Sequence, residues 1–288
     1  MVQTIENILR NSLLKHANKV IYFCDAGNIS GNVAVHEIRK SFKRLRAWLL
    51  LCGDMYTQKI AELKELGKQL APIRESYVNL ITFEKHFTNK QLLPDRKVKL
   101  MLEILSAENR EKLLLLTGEN NLLNSIRNSV TEFDKEITAL KENNLYNKQI
   151  ESQLQISYLL SYNSFLSVLE NSDSRNLHKL RIKMKKLWYQ FELMKFLNPK
   201  YFATKSRQLN DITESLGTDH DNFIMWRHIH KNHAPCFEKE ELTVFDNLIG
   251  HQHELALSGI MPKLKQIFTE EPEEFNKRLE GYIKESIN

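Results

Sequence analysis

Apolar residues recur at three- and four-residue intervals along almost the whole chain, which is the period of a helix with one buried face. That period predicts helices over 4–22, 33–51, 54–70, 72–88, 95–117, 120–142, 150–170, 175–197, 200–216, 219–232, 238–257 and 272–286. Breaks are expected at Gly53, Pro72, Pro94, Gly118, Pro199, Gly217, Pro235 and Gly259, residue types that end or restart helices. Nine glycines and six prolines in 288 residues leave little material for the tight turns of a β protein. The expected fold is all-α. Leu113–Ile126 reads as a buried helix, a turn at Gly118 and a return, and Tyr158, Tyr162 and Phe165 fall at a spacing that packs them between helices.

One segment departs from an ordinary amphipathic pattern. In NVAVHEIRKSFKRLRAWLLL, Asn32–Leu51, a helical projection with His36 at zero puts Lys43, Lys40 and Arg39 within about 60° of it, and Arg44 and Arg46 near ±80°. Ile38, Phe42, Leu45 and Leu49 cluster on the other side, at roughly 180° to 240°. A charged face is what any solvated surface helix shows. Its sign is less ordinary: only Glu37 is acidic among residues 33–50, so like charges repel along the face and an anion would relieve them.

The pattern occurs twice. NLHKLRIKMKKLWYQ, Asn176–Gln190, superposes on the first segment with a shift of 142 residues, matching His36 with His178, Arg39 with Arg181, Lys43 with Lys185, Arg44 with Lys186 and Leu45 with Leu187. Val35, Ile38 and Phe42 meet Leu177, Leu180 and Met184 in the same register. Asn32 and Ser174, each four residues ahead of its histidine, are the expected N-caps, which would put both histidines near a first turn that already favours anions. A weaker match follows each copy: LAPIRESYV aligns with LGTDHDNFI, pairing Arg74 with His220 and Glu75 with Asp221, 38 and 42 residues beyond the histidine. The chain therefore reads as one domain, 1–288, built from two similar helical halves of about 1–145 and 146–288.

The registered H-x-x-R-x-x-x-[RK]-[RK]-L pattern, each copy followed by a paired R-E or H-D, resembles the CHAD family of histidine-bearing α-helical domains, over nearly the whole chain. The resemblance implies two antiparallel helical bundles related by a pseudo-twofold, with basic helices lining a central groove that binds inorganic polyphosphate. It carries the contacts to His36, Arg39, Lys43, Arg44 and Arg46 in the first half, to His178, Arg181, Lys185 and Lys186 in the second, and to Arg74 as an additional contact. Trp188 stands where Arg46 would have its counterpart, and Ala71 stands opposite Gly217. The second arm is therefore expected to bind less tightly or to stack instead.

Charge sharpens the picture without the family. Residues 33–50 carry a net +4 and residues 176–190 a net +5; because the formal total is +5, the remainder is net −4. Positive charge is concentrated in two helices, as a groove for a linear polyanion needs. Arginine forks two donors onto phosphate oxygens, lysine acts as a mobile point charge, and a histidine either donates to phosphate or orients a neighbour. Two other classes stay open. A phosphate groove also accepts a nucleic-acid backbone, although Trp48, Trp188 and Tyr189 are the only aromatics available for base stacking. His220–Asp221, followed by His228, His230, His233, Cys236, His251 and His253, suggests a metal-dependent phosphohydrolase, but that run straddles a helix end near Pro235 and has no match in the first half. The expectation is a binding module or scaffold with no catalytic residue, cofactor or metal, able to dock on polyphosphate granules, with nucleic acid not its main ligand. No run of 18 apolar residues and no secretion-type N-terminus is seen, and Cys24, Cys52 and Cys236 show no paired spacing, so a cytoplasmic protein with reduced thiols and no membrane partner is expected.

Overall fold

The computed structural model describes residues 5–88, 90–118, 121–139 and 146–287, and among these residues there is no strand. The first six helices are α1 (Ile5–Asp25), α2 (Gly31–Leu49), α3 (Thr57–Gln69), α4 (Ala71–Phe87), α5 (Asp95–Leu113) and α6 (Leu122–Ala139). The rest are α7 (Tyr146–Glu170), α8 (Ser174–Leu193), α9 (Pro199–Asn232), α10 (Lys239–Ile267) and α11 (Pro272–Ile287).

Several expected breaks hold for identifiable reasons. Gly53 turns the chain between α2 and α3 at φ 66°, and a Cβ there would lie 1.7 Å from Nε2 of Gln149, so only glycine fits. Pro72 sits in the first turn of α4, Pro94 is the N-cap of α5, and Asn198 caps α9 ahead of Pro199 by accepting the Tyr201 N–H at 2.9 Å. Gly217 and Gly259 break nothing. The two helices expected over 200–216 and 219–232 are the single helix α9, and α10 continues through Gly259 and Pro262.

The caps also differ from expectation. The residues ahead of α2 and α8 are Ser30 and Asp173, and Asp173 accepts the Asn176 N–H at 2.7 Å. Asn32 instead exchanges hydrogen bonds with Asn109 of α5. His36 and His178 therefore fall in the second turn of their helices, beyond the free N–H groups that would draw an anion. In the Leu113–Ile126 stretch only part is core: Leu116, Leu122 and Ile126 are buried, whereas Leu114 and Leu115 face solvent.

Neighbouring helices follow the two halves. α1 packs on α2 and α6, as α7 packs on α8 and α11, and α4 pairs with α5 as α9 pairs with α10. Contacts of α2 with α8 and of α4 with α9 join the halves. The core divides otherwise. Its larger part runs from Leu9 and Phe42 to Met184, Phe191 and Phe275, while a smaller part takes Phe83, Phe87 and Leu105 from α4 and α5 together with Met225, Ile229 and Phe245 from the far ends of α9 and α10. Each core thus draws on both halves. Tyr158 stacks on Phe275 at 4.1 Å and Phe165 on Phe268 at 5.1 Å, the interhelical packing expected of α7.

Candidate functional site

α2 buries Ile38, Phe42, Leu45 and Leu49, and α8 buries Leu177, Leu180, Met184 and Leu187, so each helix must turn its cationic stripe away from the core. The two helices are tied by a reciprocal pair of hydrogen bonds. Trp48 Nε1 donates to the Tyr189 carbonyl at 2.8 Å, and Gln190 Nε2 donates to the Ala47 carbonyl at 3.0 Å. Under the 142-residue shift Trp48 corresponds to Gln190 and Ala47 to Tyr189, so each bond is the other's image.

Around that junction the cationic side chains of both halves gather. Lys43 feels Arg39 of its own helix and Arg181 and Lys185 of α8, and Asp221 of α9 is the one acid in that set. Desolvation, followed by those three cations, pushes the Lys43 ammonium down to about 7. Arg74 of α4 approaches the same Asp221 and also the imidazole of His36. Asp221 therefore sits among Arg181, Arg74, Lys43 and Lys185, whose attraction opposes the upward push of burial on its carboxyl. Among the described residues no ion pair within 4.0 Å joins Arg181 or Arg74 to Asp221, or Arg39 to Glu75; the cations stand near the acids without being neutralised by direct contact.

The histidines take different roles from one another. His36 is half exposed on the α2 face, and burial followed by Arg74 lowers its pKa. His178 stacks on His220 with ring centroids 4.3 Å apart, and its Nδ1 is buried without a hydrogen-bond partner. Burial and then His178 hold His220 down at about 4. Both expected histidines thus favour the neutral ring, which can still give one N–H to a phosphate oxygen.

Glycine decides how Arg181 lies. A Cβ on Gly217 would come within 3.0 Å of Arg181 Nη2, so the guanidinium rests directly on the α9 backbone. Arg39 is held differently: it donates to the Gly67 carbonyl in the last turn of α3. Arg44 lies over Tyr189 at 5.0 Å and Trp188 at 5.8 Å, and Lys185 over Trp188 at 5.6 Å while also pairing with Glu214 at 3.2 Å. Trp188, in the place of an Arg46 counterpart, thus backs two cations.

Of the ten expected contacts, His36, Arg39, Lys43, Arg44, Arg74, His178, Arg181 and Lys185 come together in this cluster. Arg46 stands next to Arg39 with its Nε buried and unpaired. Lys186 is not among the groups acting on Lys43; burial, and then repulsion from Lys183, holds its ammonium at about 8. Trp48 and Tyr189 are buried, which removes them as stacking platforms and leaves Trp188. Two participants were not legible as such. The alignment of His220–Asp221 with Arg74–Glu75 gave them equivalent places, whereas Asp221 faces Arg74 across the halves and His220 covers His178.

A family profile described as the CHAD domain matches residues 11–230, ending within α9. The crystal structure of the CHAD domain from the plant Ricinus communis is similar over 92% of this chain and 89% of that one, with 19% identity and a TM-score of 0.54. Among curated proteins none matches. No described helix is long and apolar enough to cross a membrane. With a profile match across most of its length and a helical fold shared with a solved member, the chain belongs to the CHAD domain family.

Proposed function

We propose that this chain binds inorganic polyphosphate across the cationic cluster where α2, α4, α8 and α9 meet, and that it does so without chemistry of its own. The observation that carries the reading is the crowding around Lys43, where cations from both halves press on one ammonium that has a single acidic neighbour. Such unneutralised charge is costly in the free protein and favourable once a linear polyanion runs across it. The ligand that CHAD resemblance implies is of that kind: each bridging phosphate adds about one charge, and a flexible chain can displace many counterions. The reciprocal bonds between α2 and α8 support a local twofold, which would offer similar cationic surfaces to both directions of a chain that has no polarity of its own. In this reading the protein is a cytoplasmic scaffold or a tether to polyphosphate granules. Of Trp48, Trp188 and Tyr189 on the basic helices only Trp188 is partly exposed, which disfavours nucleic acid as the main ligand.

Titration with long polyphosphate and with RNA of equal charge, at several salt concentrations, tests the proposal. Polyphosphate is expected to bind much more tightly, with log affinity falling linearly in log salt. Equal affinities would transfer the site to nucleic acid, and orthophosphate release would overturn the non-catalytic reading.

A further inference from the structure

The histidine run near the end of α9 is absent from the cationic cluster, and the structure gives part of it a different partner. His228 Nε2 lies 2.8 Å from Oε2 of Glu108, and His233 Nε2 lies 2.9 Å from Oε1 of the same carboxylate. Glu108 belongs to α5, 120 residues earlier in the chain. Among the described residues it has no lysine or arginine ion-pair partner; the two imidazoles are its only ones. His233 reaches the same side as His228 because it leaves the helix, at φ −130° and ψ 7°. His230 takes no part, being engaged by Asp246 at 3.0 Å and by the Trp226 carbonyl.

We propose that Glu108, His228 and His233 form a zinc site that clamps α5 to the end of α9. Two imidazole nitrogens and one carboxylate oxygen are a donor set zinc favours, with a water completing four-coordination. The three donor atoms lie within 4.8 Å of one another, and the histidine–glutamate distances are 2.8 and 2.9 Å. The two hydrogen-bonded distances would open by about 0.5 Å to reach the donor–donor spacing of about 3.4 Å that a tetrahedral zinc at 2.0–2.1 Å demands. The three side chains are partly exposed, which gives an ion an entry path and room for the water. Asn232 stands where an outer-shell partner would: its Nδ2 donates to His228 Nδ1 at 2.9 Å in the free chain, and zinc binding requires that amide to turn so that its oxygen accepts Nδ1–H and Nε2 keeps its lone pair. The proposal departs from the expectation of a metal-free protein, and what separates the two is Glu108: a ligand so distant in sequence gives a run of histidines no visible companion.

The site lies on the smaller core, where α4 and α5 of the first half meet α9 and α10 of the second. An ion bound there would join α5 of the first half to the end of α9 in the second. The test uses the full chain, stripped with chelator and kept free of phosphate, and titrated calorimetrically with zinc chloride. One equivalent per chain and a raised Tm are expected, and cobalt in place of zinc should give the visible bands of a four-coordinate ion. Glu108→Gln and His233→Gln should weaken zinc by more than the roughly 10- to 100-fold that losing an outer-shell partner costs, with polyphosphate affinity unchanged. Undiminished zinc affinity in both variants, or no binding by the parent chain, would overturn the site. Should the variants fail to fold, X-ray absorption of the zinc-loaded parent decides: two imidazole nitrogens support it, and any other count sinks it.

Discussion

Lys43 is where the properties of single residues matter most. Its ammonium falls to about 7 from an ordinary 10.5 because protein surrounds it and Arg39, Arg181 and Lys185 repel it. Between those two values the folded chain holds fewer protons than the unfolded one, so this group makes the ligand-free protein more stable as pH rises from about 7 toward 10.5. Binding runs the other way. A polyanion favours the charged ammonium and restores the proton, so affinity should fall as pH climbs through 7 and proton uptake should accompany binding. Calorimetry in two buffers of different ionisation enthalpy measures that uptake, and Lys43→Arg, which keeps its charge throughout, should reduce it. The spacing of histidine, arginine and lysine along α2 and α8 was enough to nominate Lys43. Its acidic neighbour Asp221 was not recoverable that way, because a local alignment shows which residues are alike and not which ones face each other.

At the scale of elements, the α2–α8 junction depends on two bonds that are images of one another but not energetically alike. Trp48 fills core volume and gives its indole N–H to Tyr189, whereas Gln190 gives one N–H to Ala47 and leaves its own Oε1 buried without a partner. Removing Trp48 as Trp48→Phe loses the indole hydrogen bond and core volume, for about 1–3 kcal/mol. Gln190→Met removes an unsatisfied oxygen along with the donor and should cost less than about 1 kcal/mol. Urea unfolding of the two variants separates these outcomes; equal losses would mean that the pair acts by geometry alone. The helices themselves were plain from apolar periodicity, and stops at Gly53 and before Pro94 and Pro199 followed from backbone chemistry. Gly217 misled because an interior glycine costs a helix only about 1 kcal/mol and can be present for packing, as it is here beneath Arg181. The N-cap of α8 shifted by one residue, to Asp173, since adjacent Asp and Ser are both good caps and sequence alone does not rank them.

Across the whole molecule, the cationic cluster takes side chains from α2 and from α8, and both cores draw on both halves. A long polyphosphate that crosses the junction would engage both arms, so Arg39→Ala and Arg181→Ala should each weaken it by about 1–3 kcal/mol. The double variant should lose avidity in addition, because the second engagement is no longer intramolecular. Tripolyphosphate, too short to use both arms, should respond to one substitution far more than to the other. Stability should separate the arms too. Arg39 donates to the Gly67 carbonyl at the end of α3, so its removal should cost about 1 kcal/mol of folding free energy. Arg181 has a buried, unpaired Nε and no direct ion-pair partner among the described residues, so Arg181→Ala should leave the melting temperature nearly unchanged or raise it. Loss of binding by a fully folded Arg181→Ala protein is the required result; unfolding on that substitution would make Arg181 a structural support of Asp221 and move the polyanion elsewhere.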